Sequence, residues 1–224
     1  MRAAIVLGTI VVFAACGGDS SGPATGNVSG LIKDTANVPL EQVQVEIRNA
    51  GTVTIVRSVA SNAAGMFNAV GLAAGAYDVF VQTPTAMTLT SGNTIPVSVT
   101  GGATATANFT FGYVTVSFAT HIGPLLNASC GSGGCHGGAT PQHGMFLVTD
   151  SAYKYTVNVA SAEVPAMDRI EPGNTSQSYL IHKLENTQGT VGGSGLRMPQ
   201  GAAALNVQTI RMIRRWVTAG ALNN

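Results

Sequence analysis

The sequence is short of charge. Only 9% of its 224 residues are Asp, Glu, Lys or Arg, and 11 basic against 10 acidic residues leave a formal net charge of +1. Ordinary globular chains carry about 25% charged residues. This balance excludes charge-driven disorder, and it excludes binding of nucleic acid or anionic lipid as the business of the whole chain. Aromatic residues make up 6% with a single tryptophan, and cysteine occurs three times. Beyond the first residues no apolar run approaches the ~18 residues of a membrane-spanning helix. Glycine is abundant instead, at 28 residues, and 45% of side chains are apolar. That is enough for a core, and at roughly 150 residues per domain it suits one or two domains.

Met1 and Arg2 precede an apolar run from Ala3 to Ala15, broken only by Gly8 and Thr9, after which comes Cys16-Gly17-Gly18-Asp19. One early positive charge, about a dozen apolar residues and small residues at the end make an export signal, too short for a mature span. Phe13-Ala14-Ala15-Cys16 resembles the lipobox of bacterial lipoproteins. The resemblance implies removal of residues 1–15, lipidation of Cys16 and a membrane anchor in the bacterial cell envelope, periplasmic or outer-membrane. Gly17 in place of Asp favours the outer membrane under the rules of enteric bacteria. An ordinary signal peptide cut near Ala15 is the alternative. Residues 16–26, polar and glycine-rich, read as a flexible tether. An exported compartment is oxidising, so Cys130 and Cys135 should be bonded to each other, to a metal or to a cofactor.

From Asn27 to about Phe111, apolar and polar residues alternate in short runs between turn residues, the period of half-buried strands. Val43, Val45 and Ile47 should face one way, and Gln42, Gln44, Glu46 and Arg48 the other. Similar runs at 53–59, 77–81, 95–99 and 105–111 predict an antiparallel sandwich of about seven strands. Val28-Ser29-Gly30, Pro39-Leu40, Gly65-Met66-Phe67 and Gly75-Ala76-Tyr77 follow in an order that resembles the carboxypeptidase regulatory-like domain, a transthyretin-like β-sandwich, over residues 27–112. The resemblance implies a fold and an accessory role as a spacer or docking module, with no catalytic residues. This half contains no histidine or cysteine.

All four histidines lie beyond Phe111. Ile122, Leu125 and Leu126 share a helical face, with Pro124 tolerable only near the helix start. A last helix should follow Asn206 as N-cap, with Ile210, Ile213 and Val217 in one stripe, Met212 and Trp216 beside it, Arg211, Arg214, Arg215 and Thr218 opposite, and Gly220 as the stop.

Between these helices stands Cys130-Gly131-Ser132-Gly133-Gly134-Cys135-His136. One covalent haem c needs two thiols to add to its vinyl groups and an adjacent imidazole on the iron, and His136 directly follows the second cysteine. The usual motif has two residues between the cysteines; here there are four, three of them glycines whose backbone could bulge. Leu196-Arg197-Met198-Pro199 offers Met198 as distal ligand, and His/Met ligation suits electron transfer rather than oxygen chemistry. An early helix, Cys…Cys-His, a later Arg-Met-Pro and a last helix with Arg-Trp are similar to the small, mainly α cytochrome c domains of exported bacterial proteins. That resemblance covers residues 113–224 and implies crossed first and last helices around Trp216 and Ile213. It makes the chain an electron carrier rather than an enzyme, working with a redox partner protein, although a haem peroxidase with an open iron position is a further option.

Two other readings of the thiols stay open. A Cys130–Cys135 disulfide would staple a haem-free surface module that binds glycan or protein. Zinc on Cys130, Cys135, His136 and His143 would form a closed tetrahedral site. His182 is a second candidate distal ligand. His143 and Met145 follow the motif too closely to reach the distal face, His121 reads as a helix-start residue and Met167 as core filler. Glu163, Asp168 and Glu171 read as loop carboxylates without an acid–base pairing. The arginines of the last helix could steer an acidic partner, though a solvated helix face explains them as well.

Overall fold

The alternation around Val45 builds the expected strand. Val43, Val45 and Ile47 are fully buried and belong to or flank β2 (Gln44–Asn49). The computed structural model describes residues 24–148 and 151–224. The export signal and Cys16 therefore lie outside the described residues. Among these residues β1 is Thr25–Asp34, β3 Ile55–Ala60, β4 Met66–Ala73, β5 Gly75–Val81, β6 Met87–Leu89, β7 Thr94–Val99, β8 Thr104–Thr106 and β9 Phe109–Tyr113. One sheet runs β4-β1-β9-β6 with β8 also on β1, and the other runs β3-β2-β5-β7. The inner faces meet over a core that includes Val28, Ile32, Ile47, Val79, Phe109 and Phe111.

Four features depart from the expectation. Among the described residues nine strands form rather than about seven, because the run at 105–111 divides into β8 and β9 and a short β6 forms at Met87–Leu89. The pairing is not wholly antiparallel, since β1 is parallel to both β8 and β9. Glu46 is buried on the face assigned to solvent, where Arg48 at 2.5 Å and Gln82 at 3.1 Å satisfy its carboxylate. β3 is exposed along most of its length, with Val53 beside it 81% exposed, because it is an edge strand with no layer over it. β1 begins at Thr25, within the span 16–26 read as a tether, of which residues 16–23 lie outside the described residues. Gly26 serves close approach there, since a Cβ would lie 2.3 Å from the Thr100 carbonyl oxygen.

Beyond Tyr113 the chain is less regular than a mainly α domain. A π-helical turn at Phe118–Ile122 leads into α1 (Gly123–Cys130), and α2 (Ala152–Thr156), α3 (Tyr179–Glu185) and α4 (Val207–Thr218) follow, all short and joined by long loops. Pro124 sits in the first turn of α1, where its missing N–H costs nothing. Asn206 caps α4 by accepting from the Gln208 N–H at 2.8 Å. Past Thr218 the Ala221 N–H returns to the Trp216 carbonyl and the Gly220 N–H to Val217, with Gly220 at φ +100°. That is a left-handed helix stop. Met212, Ile213, Trp216 and Val217 enter a second core with Ile122, Leu126, Ile170 and Ile181. α4 packs on α3, while Trp216 meets the first helical segment through the ring of Phe118, 5.6 Å between centroids.

Candidate functional site

The Cys130–His136 segment closes on itself through its backbone. The His136 N–H donates to the Cys130 carbonyl at 3.1 Å, and the Cys135 and Gly137 N–H groups both donate to Ser132 at 3.0 Å. The glycines between the cysteines do not adopt left-handed conformations, so the bulge expected of them is absent. Gly133 and Gly134 have open space around them. The tight positions are Gly131, whose Cβ would lie 2.7 Å from the Asn127 carbonyl oxygen, and Gly137, whose Cβ would lie 2.2 Å from that of Gly131. Among the glycines of this segment, the tightest thus follows the motif instead of filling it.

Cys130, at the end of α1, is half-buried, Cys135 is exposed, and both are free thiols. Burial, assisted by the neighbouring Cys135, pushes the Cys130 thiol up to about 11, so it stays protonated at neutral pH. His136 is 7% exposed, and its backbone is fixed by the Leu147 N–H donating to its carbonyl at 2.7 Å. Burial holds its ring below the ordinary histidine range; the backbone of Gln142 and Met145 pulls weakly the other way without hydrogen bonding Nδ1, which is buried and unpartnered. His136 is therefore an uncharged imidazole, the form that binds a metal.

A cavity of about 960 Å³ opens against this segment, at the upper end of the size of small-molecule and cofactor sites. Cys130, Cys135, His136 and Met198 all line it, together with Leu147, Leu180 and Leu184. Met198 is half-buried and its N–H donates to the Lys183 carbonyl at 2.9 Å. The Met198–Pro199 peptide bond is cis. The residues chosen from sequence as thioether, proximal and distal positions share one cavity although they come from separate segments. An uncharged histidine, two thiols and a thioether on one cavity fit the donor set of a covalent haem. Among the described residues no three His, Cys, Asp or Glu side chains gather as they would for zinc.

The sandwich meets this half along α4. Gln208 Nε2 donates to the Glu41 carbonyl at 2.6 Å, Arg211 to that of Pro39 at 2.9 Å and Arg215 to that of Ala86 at 3.0 Å. Arg215 also lies over the Tyr113 ring, 3.9 Å from its centroid, and Tyr113 donates its hydroxyl to Asp34. Residues 27–112 match the family model of the carboxypeptidase regulatory-like domain. That segment is a carboxypeptidase regulatory-like domain. The match covers less than half of the chain. Among solved structures the chain is similar to GBS52, the minor pilin of Streptococcus agalactiae, at 15% identity over 42% of this chain and 46% of that one, with a TM-score of 0.35. It is similar at 20% identity to the TIE protein of Bacillus anthracis, over 41% and 17%, with a TM-score of 0.35. It is similar at 14% to BcpA, the major pilin subunit of Bacillus cereus, over 41% and 31%, with a TM-score of 0.33. The chain spans less than half the length of each. No curated protein matches it.

The contacts with the regulatory-like domain correct the reading of the α4 arginines. Arg211 and Arg215 donate to its carbonyls, so this part of the face is a joint between halves, while Arg214, 40% exposed, pairs with Glu185 at 2.9 Å within the second half. His182 does not line the cavity; Nδ1 is 2.9 Å from Thr187 Oγ1 and Nε2 is 3.1 Å from the Ser176 carbonyl oxygen. His121 accepts from the Ser117 N–H at the start of the π turn, and Met167 is buried. His143 and Met145 line the cavity near the motif.

Glu163 is the correction that matters most. It is no isolated loop carboxylate, for it lines the cavity, accepts from the Tyr179 hydroxyl and stands 3.6 Å from the buried Lys183 ammonium and 3.8 Å from His143. Burial alone would raise its carboxyl, but Tyr179, Lys183, the Ser194 N–H and His143 outweigh burial and hold it below the usual range. The same contact and its own burial push the Tyr179 hydroxyl up to about 12. Arg169, also on the cavity, donates to the Tyr155 and His143 carbonyls at 2.8 Å each. Nothing local in sequence marks these residues, because their partners lie many positions away.

Proposed function

We propose that the protein is an exported one-electron carrier, a c-type cytochrome with one covalent haem attached through Cys130 and Cys135 and ligated by His136 and Met198. What supports this reading is the shared cavity: two thiols, an uncharged imidazole and a thioether on its walls, with leucines among the other lining residues. Bound haem would supply a reversible Fe(III)/Fe(II) couple. Cys130 and Cys135 would hold the group through C–S bonds, each made by redox-neutral addition of S–H across a vinyl double bond. Cys130 stays protonated until then. His136 would offer the metal an uncharged lone pair, and Met198 a soft donor that would raise its potential. Leu147, Leu180 and Leu184 line the same space and would help exclude water from the group.

The same reading makes Cys16 a lipid anchor in the bacterial cell envelope, with the regulatory-like domain as spacer or docking module toward a redox partner protein. Among the described residues no helix is long and apolar enough to cross a membrane.

Expression of the full chain in a host with c-type haem maturation should give haem that survives a denaturing gel and a low-spin spectrum on reduction. Cys135→Ala should abolish stable covalent attachment, and Met198→Ala should convert the spectrum to that of a lost sixth ligand. A folded, colourless protein with a Cys130–Cys135 disulfide would overturn the proposal in favour of a haem-free binding module.

A further inference from the structure

The loop that carries Met198 has little structure of its own. Between a 3-10 turn at Gln188–Val191 and the start of α4 it forms no helix or strand. Such a segment samples many conformations unless outside groups hold it. Four hydrogen bonds do so within a few residues of Met198. Lys183 Nζ donates to the Ser194 carbonyl at 2.9 Å, and the Lys183 carbonyl accepts from the Met198 N–H at 2.9 Å. Gln188 Nε2 donates to the Gly195 carbonyl at 2.9 Å, and Glu163 accepts from the Ser194 N–H at 3.5 Å. Lys183 alone therefore grips both ends of the segment 194–198, one end through its side chain and the other through its backbone.

This lysine is in an unusual place. It is 6% exposed, and an ammonium is buried only at a high cost unless it is paired. The pairing is supplied by Glu163, which is held in turn by the Tyr179 hydroxyl. Tyr179 is fitted to the loop as well, because a Cβ on Gly193 would lie 2.1 Å from its oxygen. Lys183, Glu163 and Tyr179 all line the cavity with Met198.

We propose that Lys183 is a positioning residue for Met198: its ammonium, held by Glu163, clamps the 194–198 loop so that the thioether faces the cavity. The proposal rests on the assignment of Met198 as distal ligand given above. It adds a residue on α3 that touches no iron and yet sets how fully the sixth position is filled.

The test uses the full chain expressed with c-type haem maturation and three variants, Lys183→Leu, Lys183→Arg and Glu163→Gln. Amide hydrogen exchange at Met198 and the axial-ligand spectrum with midpoint potential are the readouts. In Lys183→Leu the Met198 amide should exchange about tenfold faster or more, while the amides of Ile213 and Trp216 keep their rates. Its spectrum and potential should move toward those of Met198→Ala. Lys183→Arg should restore both, because a guanidinium can also donate to Ser194. Glu163→Gln should show the same changes at smaller size, and it serves if Lys183→Leu fails to fold. Unchanged Met198 exchange and spectrum, or a uniform loss of protection that Lys183→Arg does not restore, would overturn the clamp. Absence of covalent haem, with the exchange pattern as expected, would uphold the clamp and overturn the ligand assignment instead.

Discussion

The two halves of the chain keep themselves together by different means. In the regulatory-like domain the backbone does most of the work, with strands paired in registers of up to six residues and a core of alternate side chains from two sheets. In the second half, side chains tie loops directly: Arg169 to two carbonyls, Lys183 to Ser194, Gln188 to Gly195 and Trp216 Nε1 to Leu222 at 2.9 Å. A ladder repeats, so it leaves no reason for an empty interior. Loops pinned at a few points can arch over a space, and the cavity of about 960 Å³ lies where they do. Ionisable side chains follow the same division. Those of the first half sit singly or in the local Glu46–Arg48 pair, whereas Glu163, Lys183, Tyr179 and His143 cluster on the cavity wall.

The sharpest way to break this comparison is to empty the second core. Trp216→Ala should destabilise the second half by about 3–5 kcal/mol, because Trp216 is 1% exposed and touches Phe118 and Tyr153. The sandwich, held by its own ladders, should keep its transition in calorimetry. A single transition that falls as a whole would mean that the α4 joint makes the halves one cooperative unit.

Next in size is a matched pair of glycine substitutions. Gly30→Ala would put a Cβ 1.7 Å from the Ala107 carbonyl oxygen, between β1 and its neighbour, and Gly137→Ala would put one 2.2 Å from that of Gly131. Each should cost about 1–3 kcal/mol. The first should lower the sandwich transition alone, and the second should reduce covalent haem yield on a stained gel while leaving that transition unchanged.

The smallest effect is a pH dependence confined to one half. Glu163 is held below its ordinary value of 4.5, so as pH falls the unfolded chain takes up the proton first. Its stabilisation is complete above about pH 4.5 and is lost as pH drops through the lower folded value. Chemical denaturation at stepped pH should therefore find the gap between the wild type and Glu163→Gln narrowing below pH 4.5. A gap that stays constant would mean that the carboxylate is not charged where it faces Lys183.

How much of this could be read beforehand follows from distance along the chain. The period of two carried the span 27–112 and the burial of Val43, Val45 and Ile47, and α4 was marked at both ends by Asn206 and Gly220. These are local signals. Edge status is not one, so β3 looked like any other alternating run until the sheet order left it uncovered. The side chosen for Glu46 also failed, because Arg48 and Gln82 meet its carboxylate there and remove its need for water. In the second half the motif cysteines, His136 and Met198 stood out by chemistry and spacing, and all four line the cavity. Tyr179, Lys183 and Arg169 did not. A lysine three positions before Asn186 looks like any helix-end cation, and only the folded path of residues 186–198 brings Ser194 within reach of it.

The two-faced α4 has a consequence for synthesis. Its acceptors in the sandwich, the carbonyls of Pro39, Glu41 and Ala86, leave the ribosome more than a hundred residues before Gln208, Arg211 and Arg215 do. The sandwich closes its own ladders without α4, and domains fold as units. α4 therefore lands on a surface that forms independently of it, and the sandwich acts as a mould for the half that follows it.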